Sequence, residues 1–524
     1  MVTIPKIYNV YFVASIATVG GMLFGFDISS MSLIIGTSQY IKYFHDPSGT
    51  RQGGITAAMA GGSILGAAAS GYVSNKLGRR DAIFVACIWW MIGTTLQVAC
   101  NGIAMLIVGR LINGLCVGVT SSQVPVYLAE ISKKEKRGSI LCIQQWAIEW
   151  GMLIMYFLSY GWSFYTATPT GSFRGAWAMQ YIPCVCLMLG IPFLPRSPRW
   201  LAKVGREAQA IQTLADIQAG GNQRDPLVLA EWNEICTVLE AERAGASKGW
   251  HRFYRNGMWK RTLAGCSAQA WQQLTGANVM TYYIVYVFEM AGLRGNVALY
   301  SSGIEYAVFI VGTAVALLII DRTGRRPLLI YGAICMGICM FVVGGILGSY
   351  GTYLPRGLNG NLDVRITVSG APSYVVIILV MVYSVTLAPI AWVYAAEVWS
   401  LETRAVGMGM ATLSNWSFNF AIGFLIPPGF KNITWKLFMI FGTLSMAAAI
   451  QFFFTFPETG GKTVEEVEPL FLPGAVKPWK TELGHSLLDD KVRQMSVSGG
   501  NQVKESDHEQ RLEKLDEQEA MTAV

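Results

Sequence analysis

Apolar residues in this chain come in runs about 20 residues long, broken by short polar segments. A run of that length crosses a bilayer as one helix. About twelve are legible, near 10–36, 55–75, 82–100, 104–128, 140–160, 176–195, 262–290, 298–320, 327–349, 373–396, 405–427 and 433–456. Short loops join most of them. The exception is a polar stretch, 196–261, which divides the runs six and six and holds two short amphipathic patterns, Arg206–Ala219 and Pro226–Ala244. In hydrocarbon only helices or closed barrels satisfy their backbone groups, and these runs are too long for barrel strands. The pattern predicts an all-α integral membrane protein of twelve transmembrane helices in two six-helix halves. The expected divisions are an N-terminal half over 1–195, a linker with short helices over 196–261, a C-terminal half over 262–456, and a largely disordered tail over 457–524.

Composition supports the membrane reading. Of 524 residues, 52% are hydrophobic and 14% charged, where a soluble chain carries about a quarter charged. The net charge of +7 sits in loops: "NKLGRR" (Asn75–Arg80), "SKKEKRG" (Ser132–Gly138), "DRTGRRP" (Asp321–Pro327) and the 196–261 stretch. The positive-inside rule puts these loops and both termini in the cytoplasm. The charge therefore calls for no nucleic-acid partner. The ten cysteines lie mostly inside apolar runs without metal-ligand spacing, and read as small buried residues rather than a metal site. No Ser/His/Asp set is apparent, and the four histidines fall in loops or the tail. Neither an enzyme nor a cofactor is expected.

The two halves echo each other. "GYVSNKLGRRDAI" (Gly71–Ile83) recurs as "LLIIDRTGRRPLL" (Leu317–Leu329), each after the second run of its half. "EISKKEKRG" (Glu130–Gly138) recurs as "EVWSLETRAVG" (Glu397–Gly407), each after the fourth. Duplicated six-helix halves with a site between them are the architecture of secondary transporters. Inside the runs a few residues do not belong by hydropathy. Asp27 sits near the middle of the first, where a carboxylate costs roughly 2.5–3.5 kcal/mol to insert. Gln272, Gln273 and Asn278 fall in one sector of a continuous seventh helix, with Tyr282 and Tyr283 one turn later. Glu149 and Glu305 are also embedded, and no role follows for them from the sequence.

In order along nearly the whole chain, these motifs resemble the sugar porter family of the major facilitator superfamily. The resemblance rests on the duplicated "GRR" loops, "GRLINGLCVG" (Gly109–Gly118), "PRSPRW" (Pro195–Trp200), "QQLTGANVMTYY" (Gln272–Tyr283), "SNWSFNF" (Ser414–Phe420) and "PETGGKTVEEVE" (Pro457–Glu468). "FGFDISSMS", "GGITAAMAGGS" and "YYIVYVFEMAG" narrow it to fungal high-affinity glucose and pentose transporters. The resemblance implies a monosaccharide transporter of the plasma membrane, multi-pass and monomeric, whose partners are the sugar, protons and the lipid bilayer. It implies proton-coupled symport of D-xylose or D-glucose by alternating access, with a facilitative uniporter or a sugar sensor as the alternatives.

The resemblance also implies residue roles. Asp27 and Arg110 would be the proton-coupling pair, since an unpaired intramembrane charge is expensive and each is the other's natural partner. Gln145, Gln272, Gln273, Asn278 and Asn415 would bind sugar hydroxyls, joined by Tyr283, with Phe24 and Trp392 as apolar walls. Gly78, Arg79, Arg80, Glu130 and Arg137, and in the second half Asp321, Arg325, Arg326, Glu397 and Arg404, would form ion pairs that lock the cytoplasmic side. Some positions depart from the family pattern. Asn75 replaces an Asp of the first loop motif, which predicts a weaker lock in that half. Arg196 stands where many members have Glu. Phe309 stands where relatives place a sugar-binding Asn, and a ring in that corner would disfavour the extra hydroxymethyl group of a hexose and leave xylose preferred.

Overall fold

The structure is a computed structural model that describes residues 6–35, 37–45, 47, 49–244, 253–254, 258–282, 287, 290, 296–354, 366–368, 371–400, 403–463 and 466–484. It is almost entirely helical. The first predicted run is α1 (Val10–Ala17) and α2 (Val19–Ile34); a short α3 (Ser38–Phe44) precedes α4 (Gly49–Leu77), α5 (Arg79–Val98), α6 (Ile103–Ile131) and α7 (Arg137–Ser163). The sixth run is α8 (Gly171–Ala178) and α9 (Tyr181–Gly190). Three short helices follow, α10 (Pro198–Lys203), α11 (Glu207–Ala219) and α12 (Pro226–Ala244). The second set of spans runs through α13 (Met258–Leu274), α14 (Ala277–Tyr282), α15 (Asn296–Thr323), α16 (Arg325–Tyr350), α17 (Ala371–Val385), α18 (Leu387–Glu397), α19 (Arg404–Asn432) and α20 (Lys436–Thr455).

Among the described residues, nine helical segments are long and apolar enough to cross a membrane. The other three predicted spans fall on α4, α13 with α14, and α19, which carry more small or amide residues. In α4 the reason is packing. A Cβ at Gly62 or Gly66 would strike the backbone of α6, and one at Gly114 or Gly118 would strike α4 in return. Small residues let two membrane helices approach this closely, where apolar bulk would hold them apart.

Four of the expected spans are not single helices. The first breaks at Thr18 and the sixth at Met179–Gln180. The seventh breaks at Thr275–Gly276, where Gly276 has φ +83°. The tenth breaks at Thr386, because Pro389 has no N–H and its ring crowds the carbonyl one turn back at Val385. A continuous-helix register for Gln272 and Asn278 therefore does not hold: they lie on opposite sides of the break. Two small elements were not foreseen either, α3 and the antiparallel pair β1 (Thr352–Tyr353) with β2 (Ile366–Thr367).

Packing groups the helices into two sets. In the first, α4 and α5 pack on α6, and α2 on α7; in the second, α16 packs on α20 and α17, and α13 on α19 and α18. The sets meet along two seams, α4 against α19 and α7 against α15. The short helices α10–α12 build a small separate core from Trp200, Leu201, Ile211, Leu214, Val228 and Ile235.

Candidate functional site

Three groups of polar side chains are buried in this apolar body. The first is the charge pair. Arg110 Nη2 of α6 lies 3.0 Å from Asp27 Oδ2 of α2, and both side chains are closed to solvent. Arg110 Nε also donates to the Ile55 carbonyl of α4 at 2.9 Å. The arginine thus ties three helices, and α2 is the one held by charge. Gln97 and Asn113 neighbour the same carboxylate.

The second group is a cluster of amides between α13 and α19. Asn415 Nδ2 donates to Gln272 Oε1 at 2.7 Å and to Gln269 Oε1 at 2.6 Å. Asn415 Oδ1 accepts from Gln273 Nε2 at 3.1 Å, and Gln273 Oε1 accepts from Asn419 Nδ2 at 3.3 Å. Gln272 Nε2 donates to the Ala388 carbonyl at 2.7 Å and Gln269 Nε2 to the Ala391 carbonyl at 3.3 Å, both on α18. Every residue of α18 is buried, including Trp392. The half-buried Phe24 ring of α2 meets Trp416 of α19 edge-on at 4.8 Å, and Trp416 Nε1 reaches Ser121 Oγ of α6 at 3.3 Å. On α7, Gln145 Nε2 donates to Glu149 Oε1 at 3.1 Å. Phe309 is buried on α15 with its ring against Tyr383 of α17 at 5.8 Å. Tyr283 lies outside the described residues, as does the side chain of Asn278.

The third group is at the end of the bundle that carries the "GRR" loops, and it repeats once per half. Arg79 Nη2 pairs with Glu130 at 3.0 Å, and Arg325 Nη2 with Glu397 at 2.8 Å. A hydroxyl completes each: Ser197 Oγ donates to Glu130 at 2.5 Å and Thr459 Oγ1 to Glu397 at 2.7 Å. Gly78 (φ +91°) and Gly324 (φ +83°) precede α5 and α16 in matching left-handed conformations. Contacts also cross between halves. Arg404 of α19 reaches Glu130 at 3.6 Å. Asp321 at the end of α15 accepts from the Gly138 and Ser139 amides, each at 3.0 Å, and so caps the free N–H groups of α7. The remaining arginines stand differently. Arg80 pairs with adjacent Asp81 at 2.7 Å, Arg326 donates to the Phe453 carbonyl at 3.0 Å, and Arg137 donates to the Lys462 carbonyl at 3.1 Å. Arg196 also pairs with Asp81, at 2.7 Å.

Residues 13–471 match the profile of the sugar (and other) transporter family. The chain belongs to that family. It is 40% identical to a high-affinity glucose transporter of Kluyveromyces lactis, over 91% of this chain and 87% of that one. It is 43% identical to high-affinity glucose transporter 1 of Candida albicans, over 88% and 86%. Among solved structures it is similar to the major facilitator superfamily proton:xylose symporter XylE bound to 6-bromo-6-deoxy-D-glucose. That match has a TM-score of 0.77 at 26% identity and covers 88% of this chain and 99% of that one. The fold is the all-α major facilitator fold, and the chain is a membrane sugar transporter and not an enzyme.

Three buried residues at or near these groups carry no expectation from the sequence reading. Gln269 lies one turn before Gln272 and Gln273, so i, i+3, i+4 spacing pointed to it. Trp416 stood inside the quoted "SNWSFNF", but a lone tryptophan in an apolar run does not separate from core. Thr313, which donates to Glu149 Oε1 at 2.7 Å, carried no signal at all.

Proposed function

We propose that this transporter moves a monosaccharide, D-xylose or D-glucose, across the plasma membrane by alternating access, driven by protons. The observation that carries the substrate reading is the buried amide cluster of Gln269, Gln272, Gln273 and Asn415. Each sugar hydroxyl is donor and acceptor, and so is each amide. The amides here satisfy one another, so a sugar can exchange with these bonds without stranding a buried group, which would cost about 1–3 kcal/mol. Phe24, Trp392 and Trp416 offer ring surface for the less polar sugar face.

Asp27 and Arg110 are the proton-coupling pair in this reading. A proton on Asp27 cancels its charge and frees α2, while Arg110 stays anchored to α4 through the Ile55 carbonyl. Sugar binding and rocking of the halves follow, and the proton leaves on the other side. The "GRR" end is the cytoplasmic end, closed in this arrangement by Glu130–Arg404 and by Asp321 on α7, with both termini on that side. The four divisions at 195, 261 and 456 are the working units, and the functional unit is a monomer in lipid.

The test is uptake of radiolabelled D-xylose and D-glucose in cells that lack their own sugar carriers, with and without a protonophore. Accumulation above the external concentration, abolished by the protonophore, is expected. Equilibration that ignores the protonophore would make the protein a facilitator, and no uptake of either sugar would overturn the reading.

A further inference from the structure

Glu149 is fully buried in mid α7, and the transport cycle above gives it no task. An ionisable group at that depth is costly to keep and is usually functional. Its Oε1 accepts from Gln145 Nε2, one turn earlier, and from Thr313 Oγ1 on α15. Its Oε2 has no hydrogen-bond partner. The helices α7 and α15 belong to different halves, so the Thr313 contact crosses a seam at the level of a candidate sugar residue.

The Thr313 hydroxyl has one proton and two acceptors within reach. Glu149 Oε1 is 2.7 Å away across the seam, and the Ser384 carbonyl of α17 is 3.0 Å away within the same half. It cannot donate to both at once. When α7 and α15 part, the proton can swing to Ser384 and the hydroxyl stays satisfied. Gly312 makes this possible: a Cβ there would run into Ser384 Oγ, so only glycine lets α15 bring Thr313 to that carbonyl. On the other side Glu149 Oε1 accepts a hydrogen bond whether or not Oε2 carries a proton, so the Nε2 end of Gln145 turns toward it. That leaves Oε1 of Gln145 as the end available to a ligand.

We propose that Glu149 is a positioning residue for the sugar. It fixes the amide orientation of Gln145, so that this corner accepts a hydrogen bond from a pyranose hydroxyl, and it links that corner to the second half through the Thr313 hydroxyl, which can turn its hydrogen bond from Glu149 to the Ser384 carbonyl. The inference rests on the sugar-transport reading.

Concentration-dependent uptake of labelled D-glucose and D-xylose, corrected for surface amount, tests it in double-mutant cycles. Glu149→Ala and Gln145→Ala should each weaken apparent affinity about ten-fold, and the double variant should be no more than about three-fold worse than either. Thr313→Val should weaken affinity at least about three-fold in the wild-type background and not at all with Glu149→Ala, while Thr313→Ser stays within about two-fold of wild type. Glu149→Leu removes both acceptor oxygens at similar volume and supplies a second variant if Glu149→Ala does not reach the membrane; it should reproduce the loss of coupling to Gln145. Additive effects in the cycles, or a neutral Thr313→Val, would overturn the positioning role while leaving sugar transport standing. A wild-type protein that takes up neither sugar would overturn both.

Discussion

At the scale of single residues, charge and bulk inside hydrocarbon decide most. Asp27 and Arg110 are buried against each other at 3.0 Å. Asp27→Asn keeps the shape and removes the titrating group, so it should abolish accumulation against a gradient while exchange of labelled for unlabelled sugar persists. Protonophore-sensitive accumulation by this variant would sink the assignment. Gln272 and Gln273 each make net contacts worth about 0.5–1.5 kcal/mol, more where loss strands a partner such as Asn415. Alanine at either should weaken apparent affinity roughly ten-fold, since about 1.4 kcal/mol is one decade; normal affinity in both would put the sugar elsewhere. Phe309 already has a partner in Tyr383, and it shares one face of α15 with Thr313, four residues on. Phe309→Asn should raise glucose uptake relative to xylose, and an unchanged ratio would make the ring ordinary packing. Legibility at this scale followed rarity. A carboxylate in an apolar run stands out, and Asp27 and Arg110 could be paired on the page. Gln269 had only its spacing from Gln272 and Gln273 to mark it and Thr313 had nothing, because a buried amide or hydroxyl on a membrane helix is ordinary glue between helices until its partner is known.

At the scale of elements, the breaks matter more than the helices. Run length placed the spans to within a few residues, since hydropathy reports what touches lipid. It could not show where a span is interrupted, because a broken helix buried among neighbours keeps its apolar composition. Three of the four breaks fall in the spans that carry Phe24 and Asp27, the glutamines, and Trp392. Irregular backbone at membrane depth is tolerated where protein or a cavity covers it, and it frees carbonyls for polar partners. The Ala388 carbonyl takes Gln272 just after the break at Thr386. Gly276 shows what such a turn requires. Its φ is +83°, and a Cβ would lie 2.6 Å from Phe441 Cγ. Gly276→Ala combines a left-handed alanine, about 1–2 kcal/mol, with a clash against a ring. It should lower the thermal midpoint of the purified protein by several degrees, whereas Gly54→Ala, which meets nothing within 4 Å, should leave it unchanged. Equal midpoints for the two variants would mean that the turn relaxes freely.

At the scale of the whole molecule, the duplication is what the sequence showed best and explained least. Matched "GRR" and "E…RG" motifs led to two separate sets of locking charges. The structure builds each set around its own Arg–Glu pair and then exchanges one element between halves: Arg404 reaches Glu130, and Asp321 caps α7. Motif spacing within a half cannot show a contact made between halves. Asn75, where a charge was missed, offers Oδ1 to Lys203 and its carbonyl to Trp200, so α10 takes over part of that corner. The closeness of the seam depends on Gly138, since a Cβ there would collide with Asp321. If these contacts hold the "GRR" end shut, removing them should open it without touching the sugar site. Arg404→Ala leaves Glu130 with Arg79 but breaks a buried cross-half pair, and removing one partner of a buried pair costs about 3–5 kcal/mol in the state that uses it. Asp321→Asn weakens the cap on α7. Cys142 reads the outcome: it is buried on α7, one turn in from Gly138. N-ethylmaleimide labelling of Cys142, followed by mass spectrometry, should rise several-fold in the double variant over wild type, with Cys116, buried on α6, as the unreactive control. Unchanged labelling of Cys142 in a folded, surface-expressed double variant would mean that these charges set topology only, and that the end is closed by apolar packing along α4–α19 and α7–α15.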